Sequence, residues 1–207
     1  MSRLRSLKLG LIALSALSVS ACISVLPEVE PSAVYRLSSP EPRTGNAGIE
    51  PVIVQVQRPV APAGLSGDEI AIAVAEDQLA YMAGARWIAP TPVIIQSLIV
   101  DTFHAGNDGV EPVRPTDAIR GRFELRIDVR EFEAFYDRGD NSAPLVRVRM
   151  AARLIESDGR ELVASQVFSS NVRASANRAG AIVDAFNSAS TEVANELARW
   201  TGEASAR

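Results

Sequence analysis

Two successive runs between residues 123 and 154 alternate with a period of two, and this alternation constrains the chain more than any other feature. Phe123, Leu125, Ile127 and Val129 fall on one side, while Glu124, Arg126, Asp128 and Arg130 fall on the other. Only a β-strand sends successive side chains to opposite faces, so the run predicts a strand with one buried and one wet face. The register changes before Phe132 and Phe135, which predicts a bulge near Arg130-Glu131. The second run sets Val146, Val148, Met150, Ala152 and Leu154 against Arg147, Arg149 and Arg153. Ser157-Asp158-Gly159-Arg160 has the chemistry of a tight turn into a third strand over 161–172. Consecutive strands buried on one side predict an antiparallel meander. On its wet face, Arg126, Arg130, Arg147, Arg149 and Arg153 are expected to pair with Glu124, Asp128, Glu131 and Glu156 instead of forming a basic stripe.

Such a sheet needs a cover. From 176 to 200, Ile182, Phe186, Ala189, Val193, Leu197 and Trp200 recur at spacings of three and four, which predicts one long helix on the apolar face. A second helix is predicted from Thr91 as N-cap and Pro92 in the first turn to Gly106, with Ile94, Ile95, Leu98, Ile99 and Phe103 on one face. Upstream, 33–37 reads as a short strand with Tyr35 and Leu37 on one face, 38–51 as a loop and 52–57 as a strand. Residues 69–75 and 78–87 read as two strands around Glu76-Asp77, with an alanine-rich amphipathic helix over 69–82 as the open alternative. Residues 105–118 read as a mobile loop, punctuated by Gly106, Asn107, Gly109, Pro112 and Pro115. The expected fold is a two-layer α/β domain: a mostly antiparallel sheet with two main helices packed on one face.

The N-terminus follows different rules. Arg3, Arg5 and Lys8 precede an apolar run from Leu9 to about Val19, roughly a dozen residues and too short for a bilayer core of about 30 Å. The run ends in Val19-Ser20-Ala21-Cys22, with small residues ahead of the only cysteine of the chain. This is similar to the bacterial lipobox, a resemblance that implies cleavage before Cys22 and a covalent lipid on its thiol. One acyl chain binds a membrane only marginally, at about 0.8 kcal/mol per buried CH₂, whereas two or three hold firmly. The expected organisation is a signal peptide over 1–21, a lipidated tether over 22–32, one periplasmic domain over 33–201 and a flexible tail over 202–207. Ile23 and Ser24 follow the cysteine where inner-membrane retention commonly uses Asp, so the anchor is expected in the outer membrane.

Composition narrows the chemistry. The leader takes three of the 21 basic residues, so 25 acidic residues outnumber the basic ones that remain, and nothing attracts nucleic acid. Lys8 is the only lysine and leaves with the leader; a Schiff base and a free thiol nucleophile are thereby excluded from the mature chain. His104 is the single histidine; it reads as a charged residue at a helix C-terminus rather than a metal ligand or a base. No Gly-x-Ser-x-Gly elbow presents a serine. No catalytic residue, metal site or other cofactor is therefore expected, although two carboxylates could in principle cleave a glycoside.

Ala83-Gly84-Ala85-Arg86-Trp87 is less ordinary. Trp87 reads as a core anchor or as part of a partner-facing surface with Tyr81 and Arg86. Taken in order, Cys22, then Tyr35-Arg36-Leu37, an Ile/Val strand and the Ala83-to-Pro92 stretch ahead of a helix resemble the ABC-type transport auxiliary lipoproteins of Gram-negative bacteria. The resemblance continues through the meander and the final helix. It implies a lipid-tethered periplasmic α/β domain with no catalytic residues. Its partners would be an ABC transporter and its mammalian-cell-entry (MCE) type substrate-binding component, which together move phospholipid or other hydrophobic molecules. A second copy of the chain is a further candidate partner. Tyr35, Leu37 and Trp87 carry over as structural positions. An outer-membrane assembly lipoprotein and a carboxylate-based envelope hydrolase remain the alternatives.

Overall fold

The structure is a computed structural model that describes residues 32–41, 50–75, 77–106 and 109–206. Cys22, the lipobox residues Val19, Ser20 and Ala21, and the tether up to Pro31 lie outside the described residues. Eight strands, β1 (Ala33–Tyr35), β2 (Val52–Val56), β3 (Glu69–Ala75), β4 (Gln78–Trp87), β5 (Val110–Val113), β6 (Phe123–Phe135), β7 (Leu145–Glu156) and β8 (Leu162–Arg173), form one sheet. Two helices accompany it, α1 (Thr91–Ala105) and α2 (Ala179–Ser205). Residues 69–82 are therefore strand, and the helical alternative is not adopted.

The sheet is organised around β6. On one side β6 pairs antiparallel with β7, which pairs antiparallel with β8. On the other side its 13 residues serve two neighbours in succession. Phe123–Leu125 pair with β2, and Ala134–Phe135 pair with β3, both in parallel. Val60 bridges the gap, donating its N–H to the Ile127 carbonyl and accepting from the Val129 N–H. β5 extends the first branch beyond β2, and β4 and β1 extend the second beyond β3.

The sheet is thus mixed, which corrects the expectation of a mostly antiparallel one: β1–β4, β2–β5, β2–β6 and β3–β6 all run parallel. Periodicity reports which face a residue occupies, and both strand directions satisfy the same alternation. The bulge expected near Arg130-Glu131 is present, as a register shift between Val129 and Glu131. It lets Phe132 and Ala134 continue inward after Val129.

Both helices contribute to a single core with the inward residues of the sheet. Ile94, Ile95, Leu98, Ile99 and Phe103 of α1 are all buried, and the Gln96 amide donates to the Val56 carbonyl at 2.9 Å, fixing α1 against β2. Phe186 of α2 meets Trp87 and Phe132 at ring-centroid distances of 5.2 and 4.8 Å. Those three rings join α2, β4 and β6 at the centre of the core. Trp200 packs edge-on against Phe168 of β8 at 5.6 Å.

Three local expectations are corrected. Thr91 does not cap α1, whose N-cap is Pro90; its N–H and hydroxyl both go to the Gly67 carbonyl, so a tertiary contact claims the side chain. The stretch read as a mobile loop contains β5 and a 3₁₀ turn at Pro115–Asp117. The helix expected over 176–200 begins at Ala179 and runs to Ser205, beyond the boundary at which a flexible tail was expected. Thr201, Ala204 and Ser205 are buried there, and the Thr201 hydroxyl donates to the Leu197 carbonyl.

Candidate partner-binding surface

The sheet presents two unlike regions on the side away from the helices. Over β6 and β7 that side is laced with ion pairs: Arg126 with Glu124 at 2.9 Å, Arg149 with Glu131 at 3.1 Å, and Arg153 with Asp128 at 2.9 Å. Arg130 also reaches Asp128. The interleaved charges therefore pair, across strands for Arg149 and Arg153 as expected, but along β6 itself for Arg126 and Arg130. The Glu133–Arg147 pair is the enclosed member, at 2.6 Å with side chains only 9% and 15% exposed, and the Arg147 guanidinium lies 4.2 Å from the Phe135 ring centre. Nearby, Asp137 holds Arg173 through two hydrogen bonds. That hydrogen bond, reinforced by the positive charges of Arg173 and Arg138, pulls the Asp137 carboxyl below its ordinary range.

Over β3 and β4 the same side is poorer in charge. β4 carries an internal break in its alternation: Ala80 and Met82 face inward before it, Ala85 and Trp87 after it. Between them sits Gly84 at φ +67°, a left-handed conformation that side-chain-bearing residues adopt at a cost. The pairing with β3 shifts there, from Ala71 opposite Tyr81 to Glu69 opposite Arg86. The consequence is functional geometry. Tyr81 and Arg86, five positions apart, would face opposite ways on a regular strand, and the bulge turns both outward.

The structure places both residues beside the segment from Pro62 to Asp68. The Tyr81 hydroxyl donates to the Gly64 carbonyl at 3.3 Å, and Arg86 reaches Asp68 at 3.5 Å. Both stay about half exposed. Sequence reasoning did not find their neighbours: Leu79 is 43% exposed and Ile88 is 55%, on β4 and just beyond it, and Val34 of β1 lies opposite Arg86. Val34 and Ile88 flank Arg36, which is also exposed. The signal that could have found them is the broken alternation at Gly84, since it reverses which residues of 78–87 are outward. A recess of about 170 Å³ opens beside Arg36, between Leu37, Ile88 and the α1 residues Val93, Ile94 and Leu98. A second hollow of about 420 Å³ lies over the β2–β6 seam and is lined by Arg58, Arg126, Asp128 and Arg153.

The remaining sequence candidates separate from this surface. Trp87 is 1% exposed and belongs to the core, as does Leu37 at 8%; Tyr35 is partly buried against the same cluster. His104 is half exposed on α1, with Nε2 3.8 Å from Glu111. Among the described residues no group of three or more His, Cys, Asp or Glu side chains is arranged to hold a metal ion. No helix of the described residues is long and apolar enough to cross a membrane. What the arrangement offers is a surface for binding: exposed apolar and arginine side chains on a rigid sheet, bordered by a shallow apolar recess.

A mixed sheet backed by two helices, with exposed apolar side chains on the β1–β4–β3 branch and on β8, defines a two-layer α/β domain. The chain belongs to the ABC-type transport auxiliary lipoprotein component family, whose model matches residues 35–198. An uncharacterised protein of Bradyrhizobium diazoefficiens is 26% identical over 167 residues, covering 81% of this chain. The chain spans 44% of that relative's length. Among solved structures, a Xanthomonas campestris protein assigned to the family model DUF330 is 25% identical, with a TM-score of 0.74 over 84% of this chain and 97% of its own. A further uncharacterised protein shares the fold at 14% identity, with a TM-score of 0.67 over 83% of this chain and 99% of its own. The family's description associates its members with ABC-type transport and, as lipoproteins, with the cell envelope.

Proposed function

We propose that this chain is a membrane-anchored periplasmic accessory component of an MCE-associated ABC transport system for phospholipids or other hydrophobic molecules. It acts by binding protein partners and carries out no catalysis. The observation that carries the reading is the family match across 35–198, which takes in β2 to β8, all of α1 and most of α2. The lipid on Cys22 supplies the anchor, in the outer membrane, and the folded domain is held a short tether away. The surface of Tyr81, Arg86, Leu79 and Ile88 is the partner-facing one. Aromatic and arginine side chains dominate the energy of protein interfaces, each worth roughly 2 kcal/mol or more where buried by the partner.

The test is retrieval of the MCE-type component from crosslinked envelopes by wild type and by the double variant Tyr81→Ala/Arg86→Ala. The double variant should retrieve much less, with an unchanged circular dichroism spectrum and melting temperature, because both side chains are half exposed and make only long hydrogen bonds. Cys22→Ser should release the chain from the membrane fraction. A folded variant of one acidic residue, such as Glu124→Ala, that keeps its partner and loses all transport activity would overturn the accessory reading in favour of an enzyme.

A further inference from the structure

β8 is built unlike a protected sheet edge. Edge strands are normally blunted by charge, proline, bulges or short length, because their open N–H and C=O groups recruit other strands. β8 is 12 residues long and, among the described residues, pairs only with β7. From Leu162 to Val172 it carries no charged residue, no proline and no glycine. Its single register irregularity lies at its first residues, opposite Leu154–Ile155. Leu162, Val163 and Val167 are 60%, 40% and 59% exposed.

The open edge has a definable register. The Ala174 N–H donates to the Pro144 carbonyl on the β7 side at 3.0 Å. In a strand the N–H and C=O of one residue point the same way and alternate along the chain, so Ser165, Val167, Ser169 and Asn171 direct theirs to the free edge. We propose that β8 pairs with the β8 of a second copy of this chain, antiparallel about a two-fold axis at Val167. This names an interface apart from the transport reading and does not depend on it.

The occupant is argued from the strand's own sequence. A two-fold at Val167 makes Val167 and its counterpart a doubly hydrogen-bonded pair and sets the Ser165 hydroxyl opposite that of Ser169. Antiparallel pairing about the same axis brings the end of one strand that carries the exposed Glu161 to the end of the other that carries Arg173, whose guanidinium Asp137 already holds. Each end of the paired strands thus meets its opposite charge, and the uncharged centre meets itself without repulsion. The two interfaces are the same patch, as a closed two-fold assembly requires.

Cysteine crosslinking in the full-length chain tests both the pairing and its register. Val167→Cys should oxidise to a disulfide-linked dimer in membranes, because opposed residues of such a pair lie about 5.5 Å apart at Cα, within disulfide range. Val163→Cys alone should not, since its two copies would stand about 27 Å apart along the strands. The combination Ser165→Cys/Ser169→Cys should link again, and neither of these two alone should. Separately, Val167→Lys should halve the mass of the detergent-purified protein in sedimentation without changing its circular dichroism spectrum. The proposal is overturned if folded Val167→Cys gives no dimer, if it links to a different protein, if Val163→Cys links as readily, or if wild type sediments as a monomer. Retrieval of the MCE-type component by Val167→Lys is read independently, so loss of the dimer and loss of the transport partner remain distinguishable.

Discussion

Replacing Phe186 with alanine would remove the ring that joins α2 to the sheet. Phe186 is fully buried, with Trp87 edge-on at 5.2 Å and Phe132 at 4.8 Å, and those two rings also touch each other at 5.7 Å. The cluster is held by three different elements, so neighbouring side chains cannot collapse into the gap without moving a strand or the helix. Buried Phe→Ala substitutions typically cost about 3–5 kcal/mol, the transfer of the lost atoms plus the residual cavity. The constrained surroundings here put the expected loss near the middle of that range, about 4 kcal/mol. A domain with a total stability of about 5–15 kcal/mol would lose a quarter or more of it. For a chain of this size the melting temperature should fall by about 8–16 °C. Urea unfolding followed by tryptophan fluorescence would measure this, with Trp87 reporting the site; the midpoint should drop and the slope stay constant. A loss under about 1 kcal/mol at unchanged slope would refute the reasoning, since the three rings would then not form a rigid joint.

Three further outcomes are expected. Gly84→Ala should cost about 1–2 kcal/mol in urea unfolding, because the added Cβ meets nothing within 4 Å and the penalty is that of the left-handed backbone alone. Glu133→Ala should destabilise the fold by about 1.5–3 kcal/mol, because it removes a short charge-assisted hydrogen bond from an enclosed pair, whereas Glu131→Ala, from an exposed pair, should cost less than about 1 kcal/mol. Asp137→Asn should flatten the acid limb of the stability–pH curve. Its folded carboxyl titrates below the unfolded one, so the Arg173 contact stabilises above about pH 4 and that contribution is lost as pH falls further. Melting temperatures of wild type and variant between about pH 2 and 7 would show the two curves converging at the acid end.

Several elements were legible in the sequence because burial was their organising force. The inward residues of β6 and β7, the bulge before Phe132, and the apolar faces of both helices all follow from periodicity. Other features carried too little local signal. Pro112 sits within β5, which pairs only with β2 among the described residues, and an edge position tolerates a proline that an interior strand would reject. That proline, with Gly106, Gly109 and Pro115 around it, made the strand read as a loop. The last turn of α2 is anchored by Thr201, Ala204 and Ser205, small residues that give no apolar stripe.

The candidate surface divides in the same way. The sequence by itself determined the residue types on hand: the single cysteine behind small residues, the absence of lysine from the chain after residue 8, the one histidine, and the alternation that sorts charge from apolar bulk. Those are local properties, set by composition and by the geometry of one strand or helix. Only the tertiary structure decided which strands became neighbours, that β6 serves two parallel partners along one side, and that Gly84 turns Tyr81 and Arg86 to the same outward side. It also decided that β8 would be an edge, which gives the uncharged run from Leu162 to Val172 an open side. A strand's periodicity fixes its faces but is indifferent to its neighbour's identity and direction; those are chosen by the packing of the whole core.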